Sequence, residues 1–158
     1  MRHLLIPAAL LFASASTLSP RPVRADEKAD APRGDLAKFE GTWTAKAGPQ
    51  KNVPIALTFK GKVVSLKVNL PDGQEYETSG EIKLDETARP HKTIDWVKFT
   101  TPAGDAAPEN LGLYEFVDAD TLRVCSGGPG NERPTEIKAA EPGPPNLLVL
   151  TRKAAGGK

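Results

Sequence analysis

Side chains that could act as nucleophiles or metal ligands are scarce in this 158-residue chain, which has two His and one Cys. Cys125, His91 and Asp95 could in principle form a nucleophilic trio, but they fall in different predicted strands and loops, and no motif spacing joins them. One His and one Cys beyond the N-terminal segment are too few for the usual zinc sets, which take about four ligands. The sequence therefore predicts no catalytic residue, no metal site, no cofactor and no enzymatic activity.

Two other groups have non-catalytic interpretations. Asp118 and Asp120 form an acid pair, but they lie in a tight link between strands, where Asp is favoured because it accepts turn hydrogen bonds. The glycine-rich segment 126–131 could cradle an anion, but it lacks the Lys-Ser/Thr ending of a phosphate loop. We therefore expect a turn at Asp118 and Asp120, and a flexible loop at the end of a barrel at residues 126–131.

Three residues are candidates for binding a ligand. Trp96 and Tyr114 are large rings with polar handles, which would line a cavity if they point inward and cover the strands if they point outward. The alternation over residues 93–99 is mixed and leaves both alternatives open. Arg133 could bind a carboxylate at the mouth of a barrel, but a structural ion pair with Asp95 or Glu132 that fixes the loop is the favoured alternative.

The composition excludes several classes of protein. A hydrophobic content of 39% and a charged content of 26% are those of an ordinary globular chain and argue against a membrane bundle or full disorder. A net charge of +1 argues against a nucleic-acid-binding protein. Fifteen prolines and fourteen glycines argue for many short elements joined by turns.

The N-terminus resembles a secretory signal. The apolar run at residues 4–15 is too short to span a membrane, and a small-residue cleavage site ends at Ala25. The alternatives are cleavage after Ala15 or a retained N-terminal anchor. Removal of residues 1–25 takes three arginines and no acid from 21 basic and 20 acidic residues, leaving 18 against 20 and a net charge of −2. We expect an exported protein of the periplasm, cell surface or medium, with no membrane span after cleavage.

Cys125 is the single cysteine, so no disulfide can form within the chain. The thiol is either buried or joins two chains, and burial is the favoured alternative because free Cys is among the most buried residue types. The oligomeric state is left open. The domain must then be stable through its core alone.

Short strands follow one another along the mature chain. Apolar residues alternate with polar ones at 55–59 and 64–70, the period of a strand with one buried face. Further strands are predicted at residues 41–46, 76–84, 93–100, 111–117, 122–125 and 147–152. Residues 26–35 are predicted to be a flexible lead-in, 36–153 the domain, and 154–158 a disordered tail. One helical turn at residues 35–39 would have Asp35 as its cap.

Short strands at regular spacing, joined by turns, predict a sandwich or a barrel. Eight antiparallel strands in sequence order favour an all-β, up-and-down barrel, because closure removes the exposed edges. Gly41 and Trp43 open the first strand as Gly-x-Trp, and Arg152 shares a face with Leu148 and Leu150 in the last strand. The last strand runs antiparallel to the first, which would bring Arg152 beside Trp43. Gly-x-Trp at the start of the first strand resembles lipocalin-like proteins, in which the Trp plugs the closed end and an Arg of the last strand lies over its ring. The resemblance implies that Gly41, Trp43 and Arg152 form a structural plug, with a cation–π contact between Arg152 and Trp43.

A set of ordered motifs resembles a known family. The matching stretches are Gly41-Thr42-Trp43, Gly80-Glu81-Ile82-Lys83-Leu84-Asp85, Pro90-His91-Lys92-Thr93-Ile94-Asp95, Gly112-Leu113-Tyr114-Glu115, Asp120-Thr121-Leu122-Arg123-Val124-Cys125, Glu132-Arg133-Pro134-Thr135-Glu136 and Leu148-Val149-Leu150-Thr151-Arg152. Together they resemble the uncharacterised lipocalin-like domain of exported planctomycete proteins, over essentially all of residues 39–152. The resemblance implies a small β-barrel in an exported protein and no established enzymatic activity.

Two functions remain open from the sequence. The first is binding of a small apolar molecule inside the barrel, which requires an internal volume of a few hundred cubic ångströms. The alternative is an interaction or structural module of the cell envelope with no internal ligand. The sequence contains no signature of an enzyme, and the fold alone does not decide between the other two.

Overall fold

The computed structural model describes residues 33–48, 50–139 and 145–154. The predicted signal peptide, most of the predicted lead-in and most of the predicted tail lie outside the described residues. The folded region begins slightly before the predicted boundary at residue 36, because a short helix starts at Asp35.

One helix precedes eight strands, and every predicted strand is present. The elements are α1 Asp35–Phe39, β1 Gly41–Ala47, β2 Val53–Lys60, β3 Val63–Asn69, β4 Glu75–Asp85, β5 Lys92–Val97, β6 Asn110–Phe116, β7 Thr121–Ser126 and β8 Asn146–Arg152. Each strand pairs antiparallel with the next, and β8 returns to β1 to close the barrel. The predicted eight-stranded up-and-down barrel of lipocalin-like form is therefore confirmed.

The two-residue period of the sequence separates the inner face of the barrel from the outer face. Ile55, Leu57 and Phe59 of β2 are all buried, whereas the residues between them are partly exposed. The register pairs Leu57 with Trp43 on one side and with Leu66 on the other, so these side chains share the inner face. The same register continues around the barrel and defines which residues meet inside it.

The two ends of the barrel differ in their loops. At the end where β1 begins, here called the closed end, short links join β2 to β3 and β6 to β7. At the opposite, open end, β5 and β6 are joined by residues 98–109, and a longer connection leaves β7 at Gly127. β1 and β8 meet through the pairs Trp43 with Arg152 and Thr44 with Thr151, so the barrel is joined at the closed end.

The helix α1 covers the closed end, and its start differs from the prediction. Gly34 occupies the capping position with φ 63°, a left-handed conformation that favours glycine. The residue at the capping position therefore makes no side-chain hydrogen bond to the start of the helix. The Glu86 carboxylate instead accepts the Asp35 backbone N–H at 2.9 Å. The prediction of Asp35 as a helix cap was wrong, because its side chain is drawn into the barrel by other partners.

β5 is shorter than predicted. It ends at Val97 rather than at residue 100, because Lys98 adopts φ 59° and turns the chain. Residues 99–107 then form a small hairpin, here called the open-end hairpin. Its N–H···O bonds join Ala107 to Phe99 and Thr101 to Asp105, each at 2.8 Å.

Candidate functional site

A cavity of about 360 Å³ occupies the open half of the barrel. Its walls are the inner faces of the strands, and the apolar side chains that they contribute are Ile55, Leu57, Leu66, Trp96, Val124 and Leu148. Binding of an internal ligand requires a volume of a few hundred cubic ångströms. The volume of this cavity lies within the range of small-molecule sites.

The open-end hairpin forms the rim of the cavity. Phe99, Thr100 and Ala107 all line it. The hairpin is fixed to β4 by two hydroxyl groups, since Tyr76 donates to the Thr100 carbonyl at 2.8 Å and Thr78 donates to the same oxygen at 3.2 Å. The rim is therefore held to the wall by hydrogen bonds as well as by apolar contact.

Phe99 enters the barrel because Gly80 leaves room for it. A β-carbon at Gly80 would collide with the Phe99 ring. The Phe99 ring lies 6.2 Å from the Trp96 ring, and Trp96 lies 6.1 Å from Phe59. The glycine thus allows the rim hairpin to place Phe99 beside Trp96 in the cavity wall.

The cavity wall has polar groups but no charge. The side chains that line it include Tyr76, Thr78, Asn110 and Ser126, and among the described lining residues there is no Asp, Glu, Lys, Arg, His or Cys. Asn110 also holds the loop after β7, because its Oδ1 accepts the Gly128 N–H at 3.0 Å. The walls suit an uncharged, largely apolar molecule.

Aromatic rings fill the closed half of the barrel. The Phe39 ring lies 5.1 Å from Phe59, 5.3 Å from Tyr114 and 5.1 Å from Phe116, in tilted or edge-on arrangements. Phe39, Phe59 and Tyr114 are almost completely buried. These rings pack against one another in the closed half, and none of them is among the residues that line the cavity.

The predicted contact between Trp43 and Arg152 is confirmed. The Arg152 guanidinium lies 4.2 Å from the centre of the fully buried Trp43 ring. Gly41 precedes them with φ 107°, a conformation that L side chains rarely adopt, and a β-carbon there would lie 3.5 Å from Arg152 Nη1. The Trp43 indole N–H donates to the Phe39 carbonyl at 2.7 Å, which anchors the end of α1.

Arg152 also binds backbone carbonyls from two segments. Its Nη1 donates to Glu40 O at 2.6 Å and its Nη2 donates to Lys38 O at 2.8 Å, which satisfies carbonyls at the end of α1. Its Nε and Nη2 each donate to Ala119 O at 3.2 Å. One guanidinium therefore joins α1, the first strand and the β6–β7 turn.

Asp35 is a buried carboxylate at the same end. It accepts hydrogen bonds from Lys92 at 2.5 Å, Lys38 at 2.7 Å and the Tyr114 hydroxyl at 3.0 Å. Burial raises the pKa of Asp35, but these hydrogen bonds outweigh burial and hold the pKa below its ordinary value. Burial, together with the bond to Asp35, raises the pKa of Tyr114, so both groups are fixed in single protonation states near neutral pH.

The structure separates the three predicted ligand-binding residues. Trp96 lines the cavity, as predicted for an inward orientation. Tyr114 also points inward, but it lies in the closed half and donates to Asp35, so it does not line the cavity. Arg133 is not at the barrel mouth, because its loop folds back over the outer wall.

The favoured structural role of Arg133 is confirmed. Its Nη1 donates to the Gly112 carbonyl at 2.7 Å and lies 2.7 Å from Asp95 Oδ1. No described N–H or O–H is aligned to donate to that buried oxygen, so the contact with Asp95 is an ion pair without a directed hydrogen bond. Together the two contacts fix the loop after β7 to β5 and β6.

Cys125 is buried under the same loop on the outer wall. Its Sγ donates to the Lys138 carbonyl at 3.3 Å, and burial raises the pKa of the thiol. The alternative of a buried free Cys is therefore confirmed for the single chain. A protonated thiol directed at a carbonyl, with Asp95 committed to Arg133, is not arranged as a nucleophilic site.

Turn geometry accounts for Asp118 of the predicted acid pair and for Asp85 at the end of β4. Asp118 Oδ1 accepts the Asp120 N–H at 2.8 Å, as expected for a turn. Asp85 Oδ1 accepts the Thr87 N–H at 2.8 Å in the same manner.

Within residues 33–48, 50–139 and 145–154, no three His, Cys, Asp or Glu side chains lie close enough together to hold a metal ion. No helix in that part of the chain is both long enough and apolar enough to cross a membrane.

Sequence reasoning missed most of the cavity wall. Thr78, Phe99, Asn110 and Ser126 were not singled out, although Asn110 and Ser126 occupy inward positions of predicted strands or their ends. Their register relative to Trp96 was the available signal.

Comparison with protein-family models, curated proteins and solved structures gives no match to this chain. The resemblance to the planctomycete domain therefore stays a prediction.

Proposed function

We propose that this protein is an exported barrel that binds a small, largely apolar molecule in the cavity at its open end. The observation that carries the proposal is the cavity itself, with its volume of about 360 Å³ and its uncharged wall. Apolar pockets with a few polar groups are the usual form of small-molecule sites. Binding without chemistry is proposed because the described wall contains no His, Cys or carboxylate side chain to act as a base or nucleophile.

The contrast between the two halves of the barrel supports the same function. The closed half is filled by aromatic rings that contact one another and belong to the buried core. The open half uses the same strands but leaves their apolar side chains facing a void. Apolar side chains that line a cavity lack the packing contacts of a filled core, and a bound apolar ligand would supply those contacts.

The test is displacement of a neutral fluorescent probe, N-phenylnaphthylamine, combined with native mass spectrometry of the purified protein. We expect the probe to bind with increased fluorescence and an unidentified apolar molecule to be released from the protein. The Leu148→Trp substitution places an indole inside the cavity and should abolish probe binding. The neighbouring Val149 points outward and is 51% exposed, so Val149→Trp is the matched control and should bind normally.

Two results would contradict the proposal. Equal probe binding in the two tryptophan variants would place the probe outside the cavity. Failure of the wild-type protein to bind the probe or carry any small molecule would favour the envelope interaction module with no internal ligand. The same spectra, taken on protein recovered from a secreting host, measure the mass of the chain and so report whether residues 1–25 have been removed.

A further inference from the structure

Most hydroxyl groups at the cavity are already engaged in holding the rim. Tyr76 and Thr78 donate to the Thr100 carbonyl, at 2.8 Å and 3.2 Å. Thr101 Oγ1 accepts the Asp105 N–H at 3.2 Å. These bonds fix the open-end hairpin, and the O–H groups of Tyr76 and Thr78 are used in them as donors.

Three other polar groups at the cavity have no such partner. Within the described part of the chain, no hydrogen bond reaches the Trp96 indole N–H, the Asn110 Nδ2 or the Ser126 hydroxyl. The orientation of the Asn110 amide is determined, because its Oδ1 accepts the Gly128 N–H and its NH₂ must therefore lie on the other side.

The register of the strands groups these three residues on one wall. Trp96 of β5 lies directly opposite Asn110 of β6. Ser126 of β7 lies opposite Gly112, which is two residues from Asn110 on the same face. Diagonal neighbours of this kind lie roughly 7–8 Å apart, so one ligand group can contact more than one of them.

The chemistry of this wall is that of a hydrogen-bond donor. An indole N–H and an amide NH₂ can only donate, and a hydroxyl can do either. A ligand group that matches them is an acceptor. No cation lines the cavity among the described residues, and the nearby Arg133 is bound to Gly112 and Asp95 on the outer wall. A carboxylate moved into this cavity would lose its hydration without gaining a counter-charge.

We infer that the ligand is a neutral molecule with an apolar body and a carbonyl-type oxygen, which the Trp96, Asn110 and Ser126 donors recognise. This inference rests on the proposed function and names the class of ligand for it. An apolar cavity of roughly 150 Å³ holds benzene. A cavity of about 360 Å³ therefore has room for a body about the size of two fused rings.

Three probes of the same shape test the inference: acetylnaphthalene, ethylnaphthalene and naphthoate. They share the bicyclic body and differ in carrying a neutral carbonyl, no polar group and an anionic carboxylate. We expect the wild-type protein to bind acetylnaphthalene and ethylnaphthalene and to bind naphthoate at least roughly tenfold more weakly than the ketone, because burying the anion is unfavourable. Dissociation constants would be measured by competition with N-phenylnaphthylamine.

The variants remove one donor at a time. Ser126→Ala deletes a hydroxyl, and Trp96→Phe keeps a ring while removing the N–H. Each should weaken binding of the ketone by roughly two- to tenfold, the range for one hydrogen bond, and change ethylnaphthalene binding by less than about twofold. Val149→Ala, on the outer face of β8, is the control and should leave all three constants unchanged.

The outcomes separate the two proposals. Naphthoate that binds as tightly as acetylnaphthalene would overturn the inference, as would variants that leave ketone binding unchanged or weaken both neutral probes equally. In each of these cases the cavity still binds apolar molecules, so the proposed function stands. Failure of the wild-type protein to bind any of the three probes would overturn the inference and the proposed function together.

Discussion

The closed end and the open end of the barrel are built from the same strands, but the inward side chains meet different neighbours. At the closed end, the Phe39 ring contacts Tyr114 and Phe116 at 5.3 Å and 5.1 Å, and α1 covers the cluster. At the open end, Leu66 and Leu148 face the cavity. The difference originates in what enters the barrel. Phe39 of α1 joins an aromatic cluster at the closed end, whereas the open-end hairpin inserts Phe99 beside Trp96 and leaves a cavity next to them.

Polar groups follow the same division. At the closed end the buried groups are paired, since Asp35 binds Lys38, Lys92 and Tyr114 and Arg152 binds three carbonyls. At the open end, donors on the cavity wall lack partners in the described chain. A fully paired interior stabilises the folded state, whereas unpaired donors favour a bound ligand. We therefore expect substitutions at the closed end to change stability and substitutions at the open end to change binding.

The Trp43→Ala substitution should have the largest effect. Trp43 is fully buried, and its removal deletes a large ring, the hydrogen bond to Phe39 O and the contact with Arg152. We expect a loss of about 3–5 kcal/mol in the free energy of unfolding, measured by urea denaturation, the range for removal of a buried aromatic ring.

Trp96→Ala is the matched comparison at the open end. Trp96 is partly exposed and already borders a cavity, so its removal should lower stability by clearly less than the Trp43 substitution. Equal losses of stability in the two variants would contradict the division of the barrel into a stabilising end and a binding end.

Arg152→Ala should have the next largest effect, about 2–3 kcal/mol, because three carbonyls lose their donor and the Trp43 face loses its cation. Urea denaturation measures the loss. Arg152→Lys is the control for charge: a single ammonium group cannot reproduce the planar fork, so it should recover less than half of the stability. Full recovery in the lysine variant would show that charge, rather than the hydrogen bonds to the carbonyls, is what matters. Probe binding at the open end should be unchanged in both variants.

Alternation along the chain was sufficient to predict the eight strands and their order. Inward residues such as Leu57 and Phe59 occur at every second position. Short strands at regular spacing fit a sandwich or a barrel, and the order of eight strands favoured the barrel because closure removes the exposed edges. The contact between Trp43 and Arg152 was predictable for a related reason, because antiparallel closure brings the two ends of the chain together.

The cavity and the loops were not predictable in the same way. The ion pair of Arg133 with Asp95 was the favoured alternative, but the sequence did not indicate that Gly112 O also binds Arg133 or that the loop lies on the outer wall. Phe99 reaches the cavity through space that Gly80 leaves on another strand. Such contacts join segments far apart in the sequence, and no local period records them.

Asp35 shows the same limit at the closed end. Its position before a helical turn suggested a cap, and local chemistry favours that role for Asp. The actual partners of its side chain include Lys92 and Tyr114, which are brought close only when the barrel closes. The tertiary contacts therefore replaced the local preference.

Among the three closed-end substitutions, at Trp43, Arg152 and Asp35, Asp35→Asn should have the smallest effect on stability and a distinctive dependence on pH. The amide keeps an acceptor but loses the charge that faces two ammonium groups, so we expect a loss of about 1–2 kcal/mol near neutral pH. The pKa of Asp35 is lowered by folding, so its ionised form contributes stability above the unfolded value of about 3.9, and this contribution is lost as the pH falls through the lower folded pKa.

The difference in unfolding free energy between the wild-type protein and Asp35→Asn should therefore be constant from about pH 7 down to about pH 5 and shrink at lower pH. Urea denaturation at a series of pH values measures it, and the affinity for N-phenylnaphthylamine at neutral pH should be the same in both proteins. A stability difference that does not change down to the acid limit would mean that the Asp35 charge contributes nothing. A change in probe affinity would mean that the two ends of the barrel are coupled, because Asp35 contacts no residue of the cavity wall among its described partners.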